Sequence, residues 1–273
     1  MRPSDPFSVT DRLDEQTLGV VAGRLEVRAR NPRFVAMLDG YLDAMEIDRA
    51  ERVIDLGCGT GVAARAIARR PGFVGSVLGI DLSPGLVAAA AGLAADEGLA
   101  SRVAFRAGDS RRLDLADASC DAVVAHTLVS HVDDPPAVLA EMARLVRAGG
   151  RIAIFDGDYA SLTFANADAA MGREDDAALI AGIVTSPYVM RQMPRMLKAA
   201  GLRLVAAFPH VLVEIGDADY WASAIDSFER LLPKSGAMTE EAARRWASDK
   251  RTAMADGTFF GGCNFYAYVA EKP

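Results

Sequence analysis

The chain has 273 residues, 51% hydrophobic and 25% charged, with a formal net charge of −7, which describes a soluble globule able to bury its own core as one large domain or one domain with a lid. The acidic balance lowers the case for nucleic acid as substrate despite local basic clusters at Arg24, Arg28, Arg30 and Arg33 and at Arg244 and Arg245, and three cysteines without C-x-x-C spacing argue against a disulfide framework or a structural zinc site, so no metal is expected. The first ten residues hold no apolar signal core and no run reaches the length of a membrane span, so a cytoplasmic location is the expectation.

From about residue 11 to 28, Leu18, Val21, Ala22 and Leu25 recur at helical spacing and predict an amphipathic helix with its arginines in water. Asn31-Pro32 then supplies an N-cap followed by proline at the first helical position, and Phe34, Met37, Leu38, Tyr41, Leu42 and Met45 lie on one stripe of a second helix. Residues 1–48 are therefore read as a helical pair ahead of the sheet. Arg52-Val53-Ile54-Asp55-Leu56 reads as a strand buried on both faces. Gly57, Gly59 and Gly61 turn it sharply into a helix over about 62–70, whose N-terminal amides point back at the turn. The glycine spacing is not that of a dinucleotide fingerprint, in which the third glycine comes one residue later, where Val62 stands.

An apolar run over 74–80 predicts a second strand ending at Asp81-Leu82, and Ser83-Pro84 caps an alanine-rich helix to about 97. A third strand over 102–106 leads into Gly108-Asp109-Ser110. Asp121 to His126 is the fourth strand, followed by His131-Val132-Asp133-Asp134-Pro135-Pro136 and an apolar helix that Gly149-Gly150 is expected to cap. A fifth strand over 151–155 ends at Asp156-Gly157-Asp158-Tyr159. The stretch 162–186 is too long for an ordinary connection and reads as an inserted substrate cap. A helix over 193–200 stops at Gly201, a sixth strand covers 202–215, and two helices over 219–232 and 239–255 make a second insertion. The last strand covers 258–270, with Gly261-Gly262 suited to a bulge. The domain reading is 1–48 for the covering helices and 49–273 for the main domain, with caps at about 160–190 and 217–257.

Asp55-x-Gly57-x-Gly59-x-Gly61 on a strand, an acid at the next strand end in Gly79-Ile80-Asp81, and the Gly108-Asp109 pair after the third resemble the class I S-adenosylmethionine (SAM) dependent methyltransferases over residues 53–271. The layout is most similar to the branch of ubiquinone and menaquinone biosynthesis enzymes and secondary-metabolite methyltransferases. The resemblance implies an α/β, Rossmann-like sheet of seven strands, mostly parallel with an antiparallel last strand, helices on both faces and helical lids. It implies SAM as cofactor and S-adenosyl-L-homocysteine as product. It places Asp55, Gly57, Cys58, Gly59, Gly61, Asp81, Leu82, Asp109, Ser110 and His126 at the cofactor, with Asp81 on the ribose and Asp109 on the adenine amine, and the first two helices across the mouth of the site. Arg28 or Arg30 is a candidate partner for the methionine carboxylate.

Methyl transfer from a sulfonium needs an aligned nucleophile and a dry site more than it needs a base. The candidate bases are His126 first, then Asp156 and Tyr159, with His131 and His210 also in range and His131 read chiefly as a structural hydrogen-bonder. The sequence lacks Asn/Asp-Pro-Pro-Tyr after the fourth strand, a Pro-Cys nucleophile, an acid at the end of the fourth strand for a metal triad, and clustered thiols for arsenic. The expected substrate is a small, partly apolar molecule methylated on O, N or C, and a homodimer is left open. Two competing classes remain: a protein of this fold that binds SAM without methylating, as another catalyst or a scaffold, and an NAD-dependent oxidoreductase, which the glycine spacing disfavours.

Overall fold

The structure, a computed structural model, describes residues 5–166 and 168–273. Its strands are β1 (Arg52–Leu56), β2 (Ser76–Asp81), β3 (Val103–Ala107), β4 (Cys120–His126), β5 (Val146–Phe164), β6 (Arg203–Gly216) and β7 (Phe259–Glu271). They form one sheet in the order β3-β2-β1-β4-β5-β7-β6. The first five run parallel, and β7 is antiparallel to both β5 and β6. This is the mostly parallel sheet with an antiparallel last strand that the resemblance implied.

The central strands are apolar through most of their length because both faces are covered. Val53, Val124 and Ala153 pack into one core, and Ile54, Val123, Ile152 and Ile154 into the other, following the two-residue period of a strand. One face carries α2 (Pro32–Ala44) and α3 (Val62–Arg69), and the other carries α5 (Pro135–Leu145) and α7 (Val189–Ala199). The expected caps are in place: Asn31 on α2, and Ser83 on α4 (Pro84–Asp96) through its bond from the Leu86 amide.

The remaining helices are α1 (Glu15–Arg30), α6 (Ala169–Ile183), α8 (Tyr220–Ser235) and α9 (Glu240–Ala255), with a 3-10 segment at Pro6–Arg12. Phe164, at the far end of β5, meets Trp221 of α8 edge-on at 5.2 Å, Trp246 of α9 at 5.6 Å and Phe259 of β7 at 6.1 Å. This aromatic junction fastens the two late helices to the sheet.

Four local expectations are corrected. Gly149-Gly150 does not cap α5, which ends at Val146; the chain passes directly into β5, and the Gly149 amide bonds the Lys272 carbonyl 2.8 Å away. The fifth strand is far longer than 151–155 because β7 supplies a partner along its length, with a break in register between Asp158 and Thr163. That irregularity lies on β5, whereas Gly261 and Gly262 themselves pair in regular register with β6. Helix α7 starts at Val189 and contains Pro194. The proline removes the bond to the Met190 carbonyl, and the Tyr268 hydroxyl donates to that carbonyl instead at 3.0 Å.

Phe164→Ala is expected to cost about 3–5 kcal/mol through the cavity left among the two tryptophans. Urea denaturation followed by tryptophan fluorescence checks this; a loss within experimental error of zero would show that the junction does not hold α8 and α9.

Candidate active site

The strand order reverses between β1 and β4, and in open α/β sheets ligands bind outside the carboxyl ends of the strands at such a point. The Gly57–Gly61 bend sits there. Gly59 has φ +54° and Gly61 φ +80°, and a Cβ on either would lie 2.7 Å from Leu25 or Phe105, respectively. Both positions therefore require glycine on two counts. The bend is pinned from below: the Cys58 amide bonds the Ile80 carbonyl, the Gly59 amide donates to Asp81 Oδ2 at 2.8 Å, and the Ala64 amide of α3 donates to Asp55 Oδ2 at 3.0 Å.

Asp55 is 1% exposed, and its Oδ1 has no hydrogen-bond partner. Burial pushes its pKa up to about 7, with the Asp81 charge adding to the rise and the Ala64 amide opposing it. Asp81 is also raised by burial, against the pull of the Ser83 and Gly59 amides. Burial raises the Cys58 thiol well above its usual range, so it stays protonated.

Two cavities adjoin the bend and a third lies beyond them. The first, about 300 Å³, is lined by Gly57, Asp81, Leu82, Asp109 and Ser110. The second, about 60 Å³, is lined by Asp55, Gly57, Cys58, Gly59, Arg28 and His126. The third, about 40 Å³, is walled by Tyr159, Leu162, Ile183, Tyr220, Trp221 and Phe265. Phe7 and His131 border all three, which makes them one cleft. The cleft thus brings together every residue expected at the cofactor, except that Gly61 is set back against Phe105. Asp109 has both carboxylate oxygens engaged by Arg111, which holds its pKa below the usual range.

His126 ends β4, half-buried, with its ring stacked 4.8 Å from Phe155 and its Nδ1 hydrogen-bonded to the Tyr41 hydroxyl at 2.9 Å. Burial, with Arg28 nearby, lowers its pKa to about 3. Asp156 is fully buried and accepts from the Ser130 amide and hydroxyl at 2.9 Å each and from the Gly157 amide. Burial raises it above the usual carboxylate range. Burial likewise holds the Tyr159 hydroxyl well above 10, so it keeps its proton. His210 lies on β6 and is not among the residues lining the cleft.

The N-terminal part of the wall was not foreseen. Asp5 caps the 3-10 segment through the Phe7 amide, and its Oδ2 sits 2.9 Å from His131 Nδ1 and 3.1 Å from the Thr185 hydroxyl. Burial opposes protonation of His131, but the Asp5 charge and hydrogen bond outweigh it, and the histidine's pKa is raised. Asp followed by Pro is a local helix-start signal, but nothing in the sequence marks the long-range partner of Asp5. The expected apolar stripe of α1 packs, with Val21 buried and Leu18, Ala22 and Leu25 partly buried, but Arg24 and Arg28, expected in water, are buried beside it. Arg28 donates to the Thr127 hydroxyl at 2.6 Å, whereas Arg30 is exposed. Thr127 itself holds φ +58°, an uncommon conformation for a β-branched residue and of the kind that clusters at functional sites.

Residues 54–154 match the family model described as a methyltransferase domain. Over that span the chain carries a methyltransferase domain. The domain's matched part runs from β1 to β5 and contains the glycine bend, Asp81, Asp109 and His126. An uncharacterised 37.1 kDa protein of a Streptomyces fradiae transposon is 31% identical over 232 residues, covering 84% of this chain and 65% of that protein. A 27-O-demethylrifamycin SV methyltransferase from Amycolatopsis mediterranei is 29% identical over 198 residues, covering 71% of this chain and 68% of the enzyme. Among solved structures, the [4+2]-cyclase SpnF superposes with a TM-score of 0.58 at 20% identity, over 88% of this chain and 82% of that one. The methyltransferase fold is thus shared with a protein named for a different reaction.

Because the folded state raises the His131 pKa, its contribution to stability is complete below the unfolded value of about 6.5 and is lost as pH rises through the folded value. Asp5→Asn is therefore expected to destabilise by about 1–3 kcal/mol near pH 6 and by less at pH 9. Urea midpoints at the two pH values check this; a gap that does not shrink at pH 9 would mean that His131 is not charged through Asp5.

Proposed function

We propose that this chain is a SAM-dependent methyltransferase acting on a small, partly apolar molecule. The observation that carries the reading is the glycine bend set between two buried carboxylates at the switch point of the sheet. The residues fit such a cofactor. Among the described residues Asp55 Oδ1 is a buried acceptor without a donor, suited to an ammonium group. Asp81 retains lone pairs for a ribose, Asp109 and Ser110 border the outer cavity that suits an adenine, and Arg28 suits a carboxylate. When bound, the sulfonium supplies a methyl group already activated for displacement.

What the protein adds is position and dryness. The aromatic wall at Tyr159, Tyr220, Trp221 and Phe265 excludes water and offers flat apolar surface to a substrate. His126, with its low basicity and its bond to Tyr41, acts as a neutral wall beside the methyl donor and not as the base. Asp156 positions the Ser130 turn, and Tyr159 orients substrate by a hydroxyl that stays protonated. Where the acceptor must lose a proton, His131 is the group to take it: Asp5 holds one ring nitrogen, the ring borders all three cavities, and its basicity is raised.

Transfer of labelled methyl from SAM to a panel of phenols, hydroxy acids and amines tests the reading. The expected result is label in at least one acceptor and a loss of about 10²–10⁴-fold in turnover for His131→Ala on a hydroxyl acceptor. SAM binding without transfer to any acceptor would favour the non-methylating alternative.

A further inference from the structure

The inward stripe of α1 places two arginines where a helix normally buries apolar groups. Arg24 is 6% exposed and Arg28 8% exposed, and among the described residues neither forms an ion pair with a carboxylate. They stand four residues apart on one helix face, so their charges repel. A guanidinium has five N–H donors. Among the described residues Arg24 meets only hydroxyls, donating to Ser223 at 3.2 Å and facing Tyr220, and Arg28 donates to the Thr127 hydroxyl. The Arg24 guanidinium lies 4.4 Å over the Tyr220 ring, and its charged or polar neighbours are Tyr220, Arg28 and Tyr159. It also borders the outer groove between α1 and α8.

Burial without a counter-charge opposes the Arg24 cation and lowers its pKa. Leaving a buried charge uncompensated is among the more costly things a fold can do, and such charges are ordinarily paired. Two of them on one wall are therefore best accounted for by anions that arrive with the ligands. Arg28 borders the cavity under the glycine bend, where the cofactor's own carboxylate falls on the reading above. Arg28 also reaches the wall of the inner cavity, whereas Arg24 borders the inner cavity and not the one under the bend.

We propose that the methyl acceptor carries an acidic group, a carboxylate or a phosphate, and that Arg24 is the residue that binds it, with the rest of the acceptor against Leu162, Ile183, Trp221 and Phe228. The proposal rests on the reading of the inner cavity as the acceptor site. It deepens that reading by fixing the acceptor's charge: one end is anionic and bidentate, and the remainder is apolar or aromatic. Arg presents its donors in a fork that matches both acids, which explains an arginine here in place of lysine.

Calorimetry on the full chain, with and without saturating S-adenosylhomocysteine, tests this with two matched pairs: benzoate against benzamide, and phenyl phosphate against phenol. At least one acid is expected to bind ~10-fold or more tightly than its neutral partner, and the favoured pair tells carboxylate from phosphate. Arg24→Gln is expected to abolish that preference while leaving S-adenosylhomocysteine affinity within about threefold. Equal binding of acids and neutral partners by the wild type overturns the proposal, and that result does not depend on the variant folding. A preference that survives in Arg24→Gln overturns it as well. So does a parallel fall in S-adenosylhomocysteine affinity, which would assign Arg24 to the cofactor. Absence of any heat with S-adenosylhomocysteine would count against the methyltransferase reading alone, because the anion preference is read in its absence too.

Discussion

The position of the glycine bend depends on two carboxylates beneath it. Asp81 accepts the Gly59 amide from the end of β2, and Asp55 accepts the Ala64 amide from the end of β1. Each carboxylate therefore ties a neighbouring segment to the same turn, and three residues with positive φ are held where an unconstrained loop would wander. Both acids are buried, which makes each harder to ionise, and the Asp81 charge adds to that difficulty at Asp55. A site of this kind favours the approach of a cation or of multiple hydrogen-bond donors, which a sulfonium nucleoside with an ammonium and two ribose hydroxyls offers together.

Above the bend, α1 is fastened to the loop it covers. Glu26 accepts from the Thr60 hydroxyl inside the bend and from Arg65 of α3, and Arg65 in turn pairs with Glu97 beyond α4. Leu25 on the same helix fills the space above Gly59. The second cavity is consequently narrow, about 60 Å³.

Much of this was legible in the residues. Apolar runs ending in Asp55, Asp81 and His126 marked the strand ends, and glycine spacing set the bend, because these signals are local and act through the backbone. The long reach of β5 was not legible, because its outer half is a strand only by virtue of β7, which lies about a hundred residues away in sequence. The turn of α7 ahead of Pro194 was missed for a related reason: the group that rescues the orphaned carbonyl is Tyr268. Arg24 and Arg28 looked like a solvated face by composition. What turned them inward is the packing of α1 against α8, where Tyr220 supplies an aromatic face for a cation. The pairing of Asp5 with His131 spans 126 residues and carried no local sign.

The relatives set the scale of what sequence can say about chemistry. The matched residues 54–154 take in the glycine bend and the strand ends around it, while the inner cavity is walled mostly by α1, α6, α8 and the parts of β5 and β7 beyond that match. This chain also spans 65% of the length of the transposon-encoded relative, so likeness to it covers only part of that protein. Acceptor preference must therefore be read from the walls themselves.

The central claim is most directly tested by a crystal structure of the chain grown with S-adenosylhomocysteine. The account predicts the nucleoside between the glycine bend and Asp81, its base beside Asp109 and its amino-acid end within hydrogen-bond reach of Asp55 Oδ1. Well-ordered ligand bound elsewhere, or a cleft that stays empty in crystals soaked to saturation, would contradict it.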